Sequence, residues 1–235
     1  MKKTVLTLAI ASFLVAGMAE AGDWSRPAKG LAPLAAPITG SCLSYDYVDL
    51  EYSFDDYGSR FFDNGNSYGL GFSKSLGSLL FINGSIHTGG YDHSWGDNIV
   101  DVDTRRYRMG VGVRHEIAEC VDLTFEGGFD HMDSEYGRDY SHRDYDSWAY
   151  YFGPGIRARA GRFEFFAKAL YTDREGDKRQ SYLAEESVYL EQAYDGGWVF
   201  TPGVILHLNE RLGFKVAGEF DGIDSALTLG ARFHF

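Results

Sequence analysis

The chain has 235 residues and a formal net charge of −12. So acidic a chain is a poor partner for nucleic acid, and it gains nothing electrostatically from an anionic lipid surface. Aromatic residues make up 16% of the chain and 29 residues are glycine. This composition favours many short strands over helices.

The N-terminus has the layout of a secretory signal peptide. Two lysines precede a short apolar run, and residues 19–21 (AEA) fit an A-x-A cleavage site. We therefore expect export of the protein, with cleavage after Ala21. Residues 22–42 are rich in Pro, Ala and Gly and show no period, so they are predicted to form an N-terminal linker or plug segment. Residues 43–235 are predicted to form the folded domain.

From Tyr45 onward, apolar and polar side chains alternate in segments of about ten residues, as they do in strands with two different faces. Long polar connections (55–66, 88–104, 132–147 and 173–196) alternate with short ones, which is typical of an up-and-down barrel. We therefore predict an all-β fold, a transmembrane antiparallel up-and-down β-barrel of ten strands, with eight strands as the alternative. The ten segments are residues 45–54, 67–74, 79–87, 105–115, 121–131, 148–158, 163–172, 197–208, 212–220 and 226–235.

The segment RRYRMGVGVRH (105–115) indicates where the two strand faces point. Its apolar side chains, among them Met109 and Val111, share one face, and Arg106, Arg108 and Arg114 share the other. In a membrane barrel the apolar face meets lipid and the polar face lines the lumen. Charges in the lumen need partners, because an unpaired buried ion is strongly destabilising.

The polar faces of the ten strands supply such partners in equal numbers of acids and bases. They form a predicted lumen charge network of Asp49, Glu51, Asp122, Glu126, Asp130, Glu164 and Glu219 with Arg106, Arg108, Arg114, Arg157, Lys168, Lys215 and Arg232. A simple hairpin at 116–120 predicts three relations: Arg114 opposite Asp122, Arg106 opposite Asp130, and Glu126 diagonal to Arg108. Pro154 and Pro202 each remove a ladder donor, so a bulge is expected at each.

Cys42 and Cys120 are the only cysteines. One precedes the first strand and the other lies in a short connection, so both belong to the same end of the barrel, which the topology assigns to the periplasm. Because that compartment is oxidising, the pair is a candidate disulfide that would tie residues 22–42 across the barrel mouth. Two unpaired thiols are the alternative.

Three features make the chain resemble small bacterial outer-membrane β-barrel proteins of the porin-like or OmpA/OmpX-like type. They are the opening YDYVDLEY (45–52), the alternation of long and short connections, and the ending TLGARFHF (228–235). The resemblance implies a location in the bacterial outer membrane, with its lipid as a partner. It also implies that the outer-membrane assembly machinery recognises the last strand, with Phe233 and Phe235 as the assembly signal.

The long connections are acidic and rich in tyrosine, which suits recognition of a ligand. We therefore expect a structural, adhesive or receptor-like role, for a surface ligand that the sequence does not identify. A narrow passive porin-like channel is the alternative, because glycines on the polar face leave space along one wall. These are Gly69, Gly71, Gly110, Gly112, Gly153, Gly155, Gly203 and Gly230.

An omptin-like surface protease is a third, weaker hypothesis, which rests on Asp130, His131 and His87 near the outer rim. The sequence contains no GxSxG motif, no metal-ligand histidine pair and no phosphate loop. The carboxylates Asp92, Asp97, Asp101 and Asp103 lack the spacing of a calcium-binding loop. We therefore predict no enzymatic activity, no cofactor and no metal site.

Overall fold

The computed structural model describes residues 42–56, 64–95, 98–137, 143–176, 196–221 and 224–235. They form ten antiparallel strands, each paired with its neighbours in sequence, and β1 pairs with β10 to close a barrel. The ten-strand prediction is confirmed and the eight-strand alternative is wrong. The strands are β1 Tyr47–Asp56, β2 Gly65–Leu76, β3 Leu80–Trp95, β4 Asn98–Ala118, β5 Val121–Gly137, β6 Arg143–Ala160, β7 Phe163–Gly176, β8 Gly197–His207, β9 Leu212–Asp221 and β10 Asp224–His234.

The two ends of the barrel differ in their connections. The short-turn end carries the start of β1, the end of β10 and the turns between β2 and β3, β4 and β5, β6 and β7, and β8 and β9. The other end is the long-loop end. The predicted signal peptide and residues 22–41 lie outside the described residues. Among the residues that the structure describes, no helix is long and apolar enough to cross a bilayer.

The barrel wall has the reverse of a soluble protein's burial pattern. Outward side chains such as Val111 and Phe125 are half exposed, at 52% and 50%, whereas the inward Asp130 and Glu164 are 0% and 1% exposed. A continuous apolar outer surface of this kind is stable in hydrocarbon rather than in water. The two faces of the strands are therefore those that the alternation predicts.

Four neighbouring strands, β3 to β6, are longer than predicted. The prediction of long connections at 88–104 and 132–147 is wrong for most of both ranges, because β3 and β4 pair as far as Trp95 and Asn98, and β5 and β6 pair from Tyr136 and Arg143. In the extensions the outward side chains are polar, such as Asp101 and Asp103, so the apolar outward face that reveals a strand elsewhere is missing there. The result is a sheet of four strands that rises beyond the rest of the rim.

The register between β4 and β5 differs from the predicted one. Arg108 lies opposite Asp130, and Arg114 lies opposite Thr124. The reason is that β4 continues to Ala118 and leaves only a two-residue turn, in which Cys120 adopts a positive φ of 60°. A bulge between Glu116 and Ala118 completes the adjustment. The net shift is even, so the charged side chains stay in the lumen.

The two prolines interrupt the sheet without the predicted bulges. Around Pro154 the β6–β7 ladder resumes in the same register, and around Pro202 the β8–β9 ladder does the same. Each proline keeps its partner on the other side, Phe125 for Pro154 and Ala167 for Pro202. A proline lacks a donor toward only one neighbour, so a gap in a single ladder accommodates it.

Candidate functional site: the closed lumen

The lumen gathers many charged side chains, because the inward positions of all ten strands point there. Near the short-turn end, Arg232 on β10 lies opposite Asp49 on β1. The guanidinium donates two hydrogen bonds to that carboxylate, at 2.7 and 2.8 Å. Lys215 on β9 donates to Asp49 at 3.3 Å and also contacts Glu51. The two hydrogen bonds from Arg232 to Asp49 form a bidentate pair, which is the strongest arrangement of an arginine and a carboxylate.

Glu164 on β7 joins four strands at the same end. Its carboxylate accepts hydrogen bonds from Arg157 on β6, with Nε at 2.9 Å, and contacts His207 Nε2 on β8 at 3.1 Å. Arg232 on β10 reaches it at 3.7 Å. Glu164 is fully buried, so the contacts with these partners are needed to offset the free energy lost when its carboxylate leaves water.

A middle layer of polar contacts follows. Glu126 on β5 accepts from the Lys168 ammonium at 2.8 Å and from the Asn83 amide at 2.9 Å. The hydroxyl of Tyr151 donates to the Asn83 carbonyl oxygen at 3.3 Å. Strands β3, β5, β6 and β7 are therefore linked through the interior as well as along the wall.

Toward the long-loop end, an ion pair crosses the whole lumen. Asp130 accepts from Arg106 and Arg108, with Arg106 Nη2 at 2.6 Å and Arg108 Nη2 at 3.0 Å. Arg106 Nη1 also lies 3.6 Å from Glu219 Oε1. Arg106 is on β4 and Glu219 is on β9, five strands away in either direction around the barrel. Contact between them therefore bridges opposite walls of the barrel at this level.

A short segment closes the short-turn end. Residues 42–46, which we call the strap, run from a disulfide between Cys42 and Cys120 in the β4–β5 turn to the start of β1. The side chains of Leu43 and Tyr45 are only 2% exposed and pack with Phe81. The Tyr45 hydroxyl donates to Asp122 at 3.1 Å. The strap therefore crosses the mouth and buries two of its side chains inside the barrel.

Two arginines hold the Tyr45 ring. Arg157 lies 4.1 Å and Arg114 lies 4.7 Å from its centroid, in cation–π contact. Arg157 also donates to the Ser44 carbonyl at 2.9 Å, and Arg114 donates to the Ser78 carbonyl at 2.8 Å. The expected pairing of Arg114 with Asp122 is therefore wrong. The register places Arg114 opposite Thr124, and Tyr45 contacts Arg114 through its ring and Asp122 through its hydroxyl.

The far end of the strap is fixed to β2. Asp46 accepts the Ser75 amide at 2.7 Å and the Lys74 ammonium at 3.2 Å. Partial burial opposes ionisation of this carboxyl, but the hydrogen bonds from Ser75 and Lys74 outweigh it and lower the pKa of Asp46. The strap is thus held at both ends and along its length.

Aromatic rings occupy the space beside the inward glycines. A Cβ atom at Gly112 would clash with the Phe81 ring, one at Gly203 with Phe166, and one at Gly110 with the Tyr151 hydroxyl. The argument that inward glycines leave an open wall is wrong for these three positions. At these three positions the missing Cβ atom instead leaves room for an aromatic side chain of an adjacent or nearby strand.

The three residues of the protease hypothesis do not converge. Asp130 points inward to two guanidiniums, whereas His131, the next residue, points to the opposite face. His87 is inward, 3.7 Å from Glu51. No catalytic group arises from this trio.

The residues of the predicted assembly signal and the carboxylates Asp101 and Asp103 lie at opposite ends of the barrel. Phe233 and Phe235 are exposed at the short-turn end, and their role as an assembly signal stays a prediction. A polar cleft of about 230 Å³ opens at the long-loop end beside Tyr91, Asp101 and Asp103. Asp97 lies outside the described residues.

No protein-family model matches the sequence, and no curated protein has a matching sequence. Solved structures match in fold. The translocator domain of autotransporter NalP from Neisseria meningitidis is 10% identical, with 97% of this chain and 98% of that chain covered and a TM-score of 0.51. The β domain of the Bordetella autotransporter BrkA is 12% identical (80% and 98% covered, TM-score 0.48). Ail, the attachment invasion locus protein of Yersinia pestis, is 15% identical (81% and 97% covered, TM-score 0.39). At such low identity the likeness concerns the fold alone, and that fold is the outer-membrane β-barrel.

Proposed function

We propose that this protein is an outer-membrane barrel with a closed lumen, whose role is carried by the sheet and loops at the long-loop end, outside the cell. The observation that carries the proposal is the contact between Arg106 and Glu219, which joins opposite walls. The strap and the layers around Glu164 and Glu126 close the lumen at further levels. A barrel of this size is near the limit at which side chains fill the interior.

A passive channel is the competing function, and conductance separates the two. Full-length protein inserted into planar bilayers is expected to show no steady ion current. The double variant Arg106→Ala, Glu219→Ala removes two side chains that cross the lumen, so it is expected to raise the current. Arg105→Ala is the matched control. Arg105 is the residue before Arg106 and points to the outward face, so its loss changes the charge of the protein without changing the lumen. Steady wild-type conductance would contradict the closed lumen.

The surface role rests on the sheet of β3 to β6 and on its charge. Two acidic side chains, Asp101 and Asp103, line the cleft there, and the chain as a whole is strongly negative. Complementary charge favours a basic partner. Nanodisc-embedded protein is expected to bind a lysine-rich peptide, with weaker binding after Asp101→Asn, Asp103→Asn. Equal binding by the variant and the wild type would exclude this cleft as the contact surface.

A further inference from the structure

A second group of metal-ligating side chains lies outside the lumen, on the outer wall. His131 and Asp133 are on β5 and Asp146 is on β6, all on the outward face. His131 Nε2 lies 3.3 Å from Asp133 Oδ1 and 3.8 Å from Asp146 Oδ1. One possible ligand atom from each of the three residues lies within 4.8 Å of the other two. A single ion placed between them would reach all three.

Two aromatic neighbours fix the orientation of the His131 imidazole. His131 lies opposite Tyr107 on β4 and opposite Trp148 on β6. Its ring packs against Trp148 with centroids 4.2 Å apart and stacks on Tyr107 at 6.1 Å. Flanking aromatic contacts of this kind fix the orientation of a ligand side chain, as supporting contacts do in metal sites. The group stands beside exposed aromatic residues of the wall, at the outer edge of the apolar surface.

The two carboxylates face each other across the β5–β6 strand pair. Asp133 and Asp146 are direct cross-strand partners, and like charges directly opposite each other destabilise a sheet. Arg105 on β4 lies on the other side of Asp133 and offsets one of the two charges. A divalent ion would remove this repulsion.

We propose that His131, Asp133 and Asp146 form a binding site for a divalent transition-metal ion. One imidazole nitrogen and two carboxylate oxygens are donors that suit Zn²⁺, whereas Ca²⁺ and Mg²⁺ prefer oxygen donors alone. Three protein ligands leave at least one position open for an outside ligand. Bound metal would join β5 to β6 where they leave the membrane. The ligands lie on two strands, so only the register, and no spacing in the sequence, brings them together.

The test is a Zn²⁺ titration of full-length protein folded in detergent, followed by calorimetry. Wild type is expected to bind one equivalent, and His131→Ala is expected to weaken that binding by at least about tenfold. Asp146→Asn is expected to do the same. Asp173→Asn is the matched control, because it removes one exposed carboxylate from β7, beside Tyr150 rather than beside the triad, and it should bind like wild type.

Folding is checked separately by the heat-dependent gel mobility of each variant, so lost binding cannot be confused with a lost barrel. Ca²⁺ in tenfold excess is expected to leave Zn²⁺ binding unchanged. The proposal is overturned if wild type and His131→Ala bind Zn²⁺ equally, or if Ca²⁺ displaces Zn²⁺ readily. Neither result bears on conductance, so the site and the closed lumen stand or fall independently.

Discussion

At the scale of single residues, Asp130 shows how the lumen depends on its ion pairs. The side chain is fully buried and accepts from Arg106 and Arg108. Removing one member of a buried ionic group leaves the remaining charge without compensation, which costs far more than the pair itself contributes. The two arginines would then face a lumen with one acid fewer.

We therefore expect Asp130→Asn to lower the free energy of unfolding by about 3–5 kcal/mol, measured by urea titration of the barrel in detergent micelles. The surface substitution Asp173→Asn makes the same chemical change on an exposed side chain and should stay within about 0.5 kcal/mol of wild type. If both variants unfold at the same urea concentration, the Asp130 contacts contribute nothing to stability.

At the scale of strand pairs, glycine and aromatic residues act together. Phe81 on β3 lies directly opposite Gly112 on β4, and its ring occupies the space that a Cβ atom at Gly112 would need. Gly112→Ala is expected to destabilise the barrel by about 1–3 kcal/mol, because overpacking forces the ring out of its position.

A double-mutant cycle tests this explanation. With Phe81→Ala already present, the added methyl group at Gly112 has free space, so its cost should largely vanish. Gly197→Ala is the control, since a Cβ atom there meets nothing within 4 Å. Additive effects of the Phe81 and Gly112 substitutions would mean that the ring and the glycine do not interact.

The sequence predicts one class of information at this scale well and another poorly. Alternation assigns residues such as Val111 and Asp130 to the correct faces, because each face has a different solvent. Register depends instead on a two-residue turn and a bulge near Ala118, which the alternation does not encode. The strand extensions carry polar outward side chains such as Asp101 and Asp133, so the apolar outward face that marks the rest of each strand is missing there.

Contacts across the lumen were harder still to predict. That Arg106 meets Glu219 follows from the closure of the barrel and from the relative height of β4 and β9, neither of which is local. The equal count of acids and bases indicated that pairs would form, but not which ones. The sequence gives only a weak indication of the role of Tyr45, which is a tyrosine two residues before β1 and three residues after Cys42.

At the scale of the whole molecule, the strap connects parts of the barrel that the sheet does not. The disulfide joins residues 78 positions apart, from the first residue of the strap to the β4–β5 turn. A cross-link over so long a stretch restricts the unfolded chain and stabilises the folded one, typically by about 2–5 kcal/mol. The ladders and ion pairs of the ten strands do not require it, so the barrel itself should survive its loss.

The double variant Cys42→Ser, Cys120→Ser is accordingly expected to fold, yet to unfold at a lower urea concentration than wild type. A dithiol reductant should lower the wild-type midpoint to the same value and leave the variant unchanged, which separates loss of the cross-link from an effect of the serines.

Adding Tyr45→Ala to this double variant removes the bond to Asp122 and the contacts with Arg157 and Arg114. The strap then has neither its covalent link nor its main packing contact, so a protease should cleave it in the intact barrel. Resistance equal to that of wild type would mean that the strap is held by something other than these contacts.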